Sequence, residues 1–215
     1  MQAAKNGDSS AYGWIGCFYY GGEGVARNFS EAIKWFKKAA ENGDSGCYAY
    51  LGSSYFELQN YQEAIIWLEK AANNGDTRVY GVLGASYMQL KQYSEAIPWL
   101  KKAVDNNEIQ AFYWLGIYYI IQQNDQEAYK WMKKAADSNI PAAYGHLGNM
   151  YLNGKGTSIN KNEAFKWIKK SAENGIYDSF GILGWLFYNG DGTQTNIQEA
   201  YKWAKLGIEK DVPLS

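Results

Sequence analysis

One phrase, Glu-Ala-x-x-Trp, recurs along this chain at Glu31, Glu63, Glu95, Glu127, Glu163 and Glu199. Repetition of this kind constrains a fold more than any local pattern. Each repeat is a supersecondary unit that can bury its apolar face only against its neighbours. Cutting at equivalent points gives units 8–43, 44–75, 76–107, 108–139, 140–175 and 176–211. Residues 1–7 and 212–215 are left over. Gln2-Ala3-Ala4-Lys5-Asn6-Gly7 reads like Lys38-Ala39-Ala40-Glu41-Asn42-Gly43, the end of a unit. Val212-Pro213-Leu214-Ser215 aligns with Ile140-Pro141-Ala142-Ala143, the start of one. Both leftovers therefore read as truncated repeats, and exposed terminal faces are expected to favour end-to-end association.

Each unit carries two helical patterns. In the first, unit position five is Tyr12, Tyr48, Tyr80, Phe112, Tyr144 and Phe180. Position eight is Ile15, then Leu51, Leu83, Leu115, Leu147 and Leu183. Position nine is always glycine: Gly16, Gly52, Gly84, Gly116, Gly148 and Gly184. Position twelve is Tyr19, Tyr55, Tyr87, Tyr119, Tyr151 and Phe187. These offsets place all four on one helical stripe. Glycine inside a helix costs ~1 kcal/mol against alanine, so its repetition predicts a helix approaching too closely for a Cβ. The second pattern supplies that helix, with Ala32, Trp35, Phe36 and Ala39 on its stripe.

The second helix has legible ends. Asparagine precedes the glutamate by three residues at Asn28, Asn60, Asn124, Asn160 and Asn196, which resembles a capping box. The third unit has Gln92 there and should be capped worse. Lysine pairs such as Lys37-Lys38 and Lys169-Lys170 suit the negative C-terminus. Gly43, Gly75 and Gly175 fit a left-handed stop. Pro98, inside the second helix of unit three, is expected to kink it.

Composition removes several function classes. Net charge is −1, with no basic or acidic block, which argues against nucleic acid as the main partner. The longest apolar run, Ala111 to Ile121, is too short to span a bilayer, and no signal peptide or transmembrane segment is visible. Compartment is not legible. His146 is the one histidine, and Cys17 and Cys47 are the two cysteines, so zinc sites, histidine triads and disulfide frameworks have no material. Cys17 and Cys47 sit ~9 Å apart along neighbouring helix axes, at 1.5 Å per residue, which disfavours a disulfide between them. Gly-x-Gly at 22–24, 154–156 and 190–192 follows no strand and reads as an inter-helix turn rather than a phosphate loop. Asn189-Gly190-Asp191-Gly192-Thr193 lacks the glutamate a calcium loop needs, since Ala200 stands in its place. No cofactor, metal or catalytic set is expected.

Tyr-Gly-x-x-Gly at 144–148, Tyr151, Gly154-x-Gly156 and Glu163-Ala164-x-x-Trp167, repeated in order in the first unit, resemble the Sel1-like repeat family, a relative of the tetratricopeptide repeats. Units two to four lack the Gly-x-Gly turn and are shorter, nearer a minimal tetratricopeptide-like hairpin. The resemblance implies an all-α, right-handed α-solenoid of helix-pair repeats, with first helices on the concave side and second helices on the convex side. It also implies adaptor and scaffold proteins rather than enzymes.

The concave face is where a partner would be read. Positions seven and ten lie away from the core stripe and, unlike it, vary between units. Position seven is Trp14, Tyr50, Val82, Trp114, His146 and Ile182; position ten is Cys17, Ser53, Ala85, Ile117, Asn149 and Trp185. Shared packing constraints do not explain that variation, and large apolar groups on a surface mark interaction sites. Trp14, Tyr50, Trp114, Ile117, His146 and Trp185 are accordingly the candidate contacts for an extended, largely uncharged peptide, joined by Tyr113, which replaces the small residue found at position six elsewhere. The alternative for these residues is packing against neighbouring first helices. With few groove charges, affinity should depend weakly on salt. Two function classes follow: a protein-binding scaffold, or a structural spacer or self-associating segment of a larger protein.

Overall fold

A computed structural model describes residues 9–211; the readings made for 1–7 and 212–215 lie outside the described residues. Among the described residues there are twelve α-helices and no strand. They are α1 (Ser9–Gly21), α2 (Phe29–Glu41), α3 (Tyr48–Glu57), α4 (Tyr61–Asn73), α5 (Tyr80–Gln89), α6 (Tyr93–Asp105), α7 (Gln110–Ile121), α8 (Asp125–Asp137), α9 (Pro141–Asn153), α10 (Lys161–Glu173), α11 (Asp178–Asn189) and α12 (Ile197–Asp211). Short 3₁₀ turns, Ser45–Cys47 and Thr77–Val79, lead into α3 and α5. The chain divides into two compact bodies, 1–111 and 112–215. Within the first, each helix from α1 to α6 packs on the next; within the second, the same holds from α8 to α12.

The helix pairs are held by one repeated contact set. A Cβ added to the position-nine glycines would sit 2.5 Å from Phe36 at Gly16, 2.6 Å from Leu68 at Gly52 and 2.6 Å from Leu100 at Gly84. At Gly116 it would be 2.9 Å from Met132, and at Gly148 2.6 Å from Ile168. The partner helix thus fills the missing side chain. In α11 the arrangement changes: Ala204 replaces the large partner, and the backbone itself closes in, with Ala200 O 3.0 Å from a Cβ on Gly184.

The position-five ring meets the tryptophan of the second helix in every pair. Centroid distances are 6.1 Å for Tyr12–Trp35, 5.6 Å for Tyr48–Trp67, 5.5 Å for Tyr80–Trp99, 5.9 Å for Phe112–Trp131, 5.6 Å for Tyr144–Trp167 and 5.3 Å for Phe180–Trp203. In units one to five the lysine three residues after the tryptophan also lies over this indole, as Lys70 Nζ does at 4.0 Å from the Trp67 ring and Lys102 Nζ at 4.1 Å from that of Trp99. The lysines therefore do more than complement a helix dipole. They cover the outer face of the aromatic pair.

Position twelve joins neighbouring units. The Tyr87 hydroxyl donates to Glu69 Oε1, and the Tyr129 and Tyr151 hydroxyls lie 2.8 Å apart. Burial first, then the Glu69 carboxylate, push the Tyr87 phenol well above its ordinary range.

Half of the expected capping box is present. Asn28, Asn60, Asn124, Asn160 and Asn196 each accept, through Oδ1, from the glutamate N–H at 3.1, 3.4, 3.2, 3.1 and 3.0 Å. The reciprocal arm is not needed, because each cap N–H already donates to the position-twelve carbonyl, as Asn160 N does to Tyr151 O at 2.9 Å. The freed glutamate turns to its tryptophan four residues on: Trp131, Trp167 and Trp203 Nε1 donate to Glu127, Glu163 and Glu199 Oε2 at 3.0, 2.9 and 3.0 Å. In these three units the bond uses the four-residue spacing of Glu-Ala-x-x-Trp, whereas Trp67 Nε1 is buried with no hydrogen-bond partner.

Gln92 makes no capping bond, although its backbone (φ −87°, ψ 70°) matches that of the capping Asn60 (φ −88°, ψ 72°). Gln92→Asn is therefore expected to stabilise by ~1 kcal/mol. That would raise the melting temperature by roughly 2–4 °C. An unchanged or lower value would show that geometry alone does not create the cap. α6 runs unbroken through Pro98. The expected left-handed stops occur at Gly43, Gly75 and Gly175, and non-glycine residues Gln59, Lys91, Asn107, Gln123 and Asn139 adopt the same conformation at helix ends. Those five were not marked by glycine and escaped the sequence reading.

Candidate partner-binding pockets

The turn between units one and two begins with Asp44, whose Oδ1 accepts from Gly46 N at 3.0 Å. The 3₁₀ turn it caps buries Cys47, whose thiol donates to Asp44 O at 2.9 Å and Phe36 O at 3.3 Å. Above this floor, α1 contributes Gly13, Trp14 and Cys17, and α3 contributes Tyr50. Together they enclose a pocket of about 300 Å³ in the first body. Trp14 is 67% exposed and Tyr50 38%. The Tyr50 ring stacks on Phe36 at 5.6 Å and 18°, and Tyr20 meets it edge-on at 5.6 Å. Tyr50 is thus held as a wall rather than left free.

Both cysteines are free thiols and line this one pocket. Cys47 belongs to the 3₁₀ turn before α3, not to the helix on which the sequence spacing placed it. Burial, then Glu23 and Asp44, raise the Cys17 thiol; burial and then Asp44 push Cys47 up to about 12. Both stay protonated at neutral pH and are poor nucleophiles.

The second body has a larger, more polar pocket of about 690 Å³, lined by Ile120, Gln123, Asp125, His146, Asn149, Met150, Asn153 and Lys155. Tyr113 tilts against His146 at 6.1 Å and meets Trp114 edge-on at 5.4 Å. Burial lowers the His146 imidazole below its ordinary value, opposed by Asp178, so the ring is neutral at pH 7. Tyr113 and Ile117 also pack on the core around Met132 and Leu147, while Trp185 on α11 is 54% exposed and lines neither pocket.

The structure therefore joins Trp14 with Tyr50, joins Tyr113, Trp114 and His146, and leaves Trp185 apart. Asp44 and Cys47 in the first pocket, and Gln123, Asp125, Asn153 and Lys155 in the second, were missed by sequence reading. Most sit in turns or at helix ends, where helical periodicity carries no signal. Among the described residues, no group of three or more histidine, cysteine or carboxylate side chains is placed to hold a metal, and no helix is long and apolar enough to cross a membrane.

Glu108, at the same unit position as Asp44, is half-buried. Its Oε2 accepts from Gly81 N at 3.1 Å, and its Oε1 is buried with no hydrogen-bond partner. Burial first, then the Asp76 charge, raise its carboxyl above the ordinary value, with the Gly81 N–H opposing. A carboxyl raised in the folded state costs stability as pH rises above its unfolded range, and the cost is absent where both states are protonated. Glu108→Gln keeps an acceptor for Gly81 and removes the charge. It should raise the melting temperature at pH 7 and not near pH 3, where both states are protonated. Equal effects at the two pH values would assign the change to packing.

The Sel1 repeat model matches residues 9–44, 46–76, 111–140, 141–176 and 182–212, and a tetratricopeptide repeat model matches 77–108. No curated protein matches the chain. Among solved structures, it is similar to a protective antigen of uropathogenic Escherichia coli displaying an SLR fold, at 27% identity and TM-score 0.80. That match covers 99% of this chain but 48% of the antigen, so the chain spans about half of that relative. A Sel1 repeat protein from Oxalobacter formigenes matches at 25% identity and TM-score 0.73, covering 94% of this chain and 88% of its own. The APC/C hetero-tetramer Cut9–Hcn1 matches at 15% identity and TM-score 0.73, covering 96% and 40%, which speaks to fold alone. Proteins built from such repeats are typically protein-interaction scaffolds. The recurring glycine-against-side-chain contact, the aromatic pairs and the matched repeats agree, and the chain belongs to the Sel1 repeat family of tetratricopeptide-like, all-helical solenoids.

Proposed function

We propose that this chain is a non-catalytic scaffold whose bodies each hold an extended segment of a partner protein against their first helices, the first body through Trp14 and Tyr50 and the second through Trp114, His146 and Trp185. The observation that carries this reading is the contrast on single helices. On α1, Ile15 is buried while the adjacent Trp14 is two-thirds exposed; on α11, Leu183 and Leu186 are fully buried while Trp185 is half exposed. A tryptophan exposed to that degree gains little from folding, and aromatic residues of this kind anchor partner segments. Tyr113 and Ile117 support the surface from the core side.

The test is to select binding peptides from a displayed random library and measure their affinity for the wild type, Trp14→Ala and Trp185→Ala. For peptides that engage the respective body, we expect a loss of ~2 kcal/mol, more than tenfold in affinity. Melting temperature should move by less than about 2 °C, because both side chains are surface groups. Unchanged affinity in folded Trp14→Ala and Trp185→Ala would remove the assignment.

A further inference from the structure

The residues at unit position one behave differently in successive units of the first body. Asp76 is neutralised within the chain: Arg78 donates from Nε to Oδ1 at 2.9 Å and from Nη2 to Oδ2 at 2.8 Å, while its backbone N–H also reaches Oδ1 at 3.1 Å. Glu108 holds a backbone N–H on Oε2. Asp44 has the first half of this arrangement, with Gly46 N on Oδ1, but the residue two positions on is Gly46 and brings no guanidinium. Among the described residues, nothing donates to Asp44 Oδ2 and no cation lies within ion-pair distance of the carboxylate. That oxygen faces Gly13, and Asp44 lines the 300 Å³ pocket, where it is the one formally charged side chain among the described residues.

We propose that this pocket takes the guanidinium of an arginine from the bound segment, with Asp44 as its counter-charge and Trp14 and Tyr50 as its walls. The inference rests on the first-helix face being the binding face and names the chemistry of one side chain placed there. The incoming arginine supplies to Asp44 what Arg78 supplies to Asp76. Its planar cation pairs with the carboxylate and stacks on aromatic faces, and its methylenes cover the apolar wall. The neighbouring thiols stay protonated and leave the site singly negative. Asp44 lies in a turn, so it is the exception to a face whose helices are nearly free of charge.

The experiment uses Nα-acetyl-arginine methylamide as the probe, titrated into the protein and followed by amide and Trp14 indole NMR shifts. Nα-acetyl-citrulline methylamide, equal in shape and uncharged, is the control. We expect the arginine probe to shift Gly13, Trp14 and Gly46 and the citrulline probe not to. Asp44→Asn keeps the cap on Gly46 N and should weaken arginine binding by roughly tenfold or more, as loss of a charge-assisted pair does. Gly46→Arg provides a second variant that leaves Asp44 and Trp14 in place. It rebuilds the Asp76–Arg78 pair at Asp44 and should occupy the site, so the probe no longer shifts Trp14. Equal binding of arginine and citrulline probes, or full binding by both folded variants, overturns the inference. Selected peptides that need Trp14 yet contain no arginine would also overturn it while leaving the binding face intact. Peptides insensitive to both Trp14→Ala and Trp185→Ala would instead count against the face itself.

Discussion

Replacing Gly156 by alanine is expected to be among the most damaging single changes to the second body, costing ~3 kcal/mol or more. Two penalties coincide. Gly156 has φ +68°, which an L side chain rarely adopts, and a Cβ there would lie 2.0 Å from Asp125 O, a backbone atom that cannot swing away. Asp125 opens α8, so this turn closes directly onto the start of the preceding unit's second helix. Gly192 repeats the contact one unit later, 2.0 Å from Lys161 O at the start of α10. Gly175→Ala is the control: its φ is +76° but nothing lies within 4 Å of a Cβ, leaving only the conformational cost of ~1–2 kcal/mol. Urea denaturation with hydrogen exchange would read both. Equal losses for Gly156→Ala and Gly175→Ala would mean that the turn shifts freely and does not lock the units together.

Phe36→Ala should cost ~3–5 kcal/mol, the range for emptying a fully buried aromatic site. Phe36 is wholly buried, fills the gap left by Gly16 and stacks under Tyr50. It therefore couples the helix-pair core to the floor of the first pocket. Phe36→Leu introduces the residue found at the equivalent Leu68 and Leu100 and should cost ~1 kcal/mol. It also removes the ring on which Tyr50 rests, so binding at Trp14 and Tyr50 should weaken more than stability does. Thermal melting with ligand titration separates the two. Parallel loss of stability and binding in Phe36→Leu would show that Tyr50 is placed by α3 alone.

Packing was legible where a periodic constraint repeats. The position-nine glycines carry their own penalty inside a helix, so six occurrences demanded a close partner, and the structure supplies one each time. Glutamate three residues after asparagine was legible as a cap, but its second role was not. Which donor satisfies the cap N–H depends on where the preceding helix ends, and once Tyr151 O has taken the N–H of Asn160, Glu163 is free for Trp167. The varying positions seven and ten were legible as lying off the core stripe. Their fates were not, since Trp14 and Trp185 remain exposed while Ile117 also packs inward.

From the sequence by itself came the helix-pair repeat, its core stripes, its asparagine caps and the charge-poor first helices, because each is a local periodicity written into every unit. Only the tertiary structure decided that Cys17 and Cys47 share a pocket, that among the described residues Asp44 lacks the cation Asp76 has, and that the Gly-x-Gly turns at 154–156 and 190–192 abut the previous unit's helix start. These facts depend on how turns cross between units. A turn has no period, and its side chains are placed by the helices it joins rather than by its own residues.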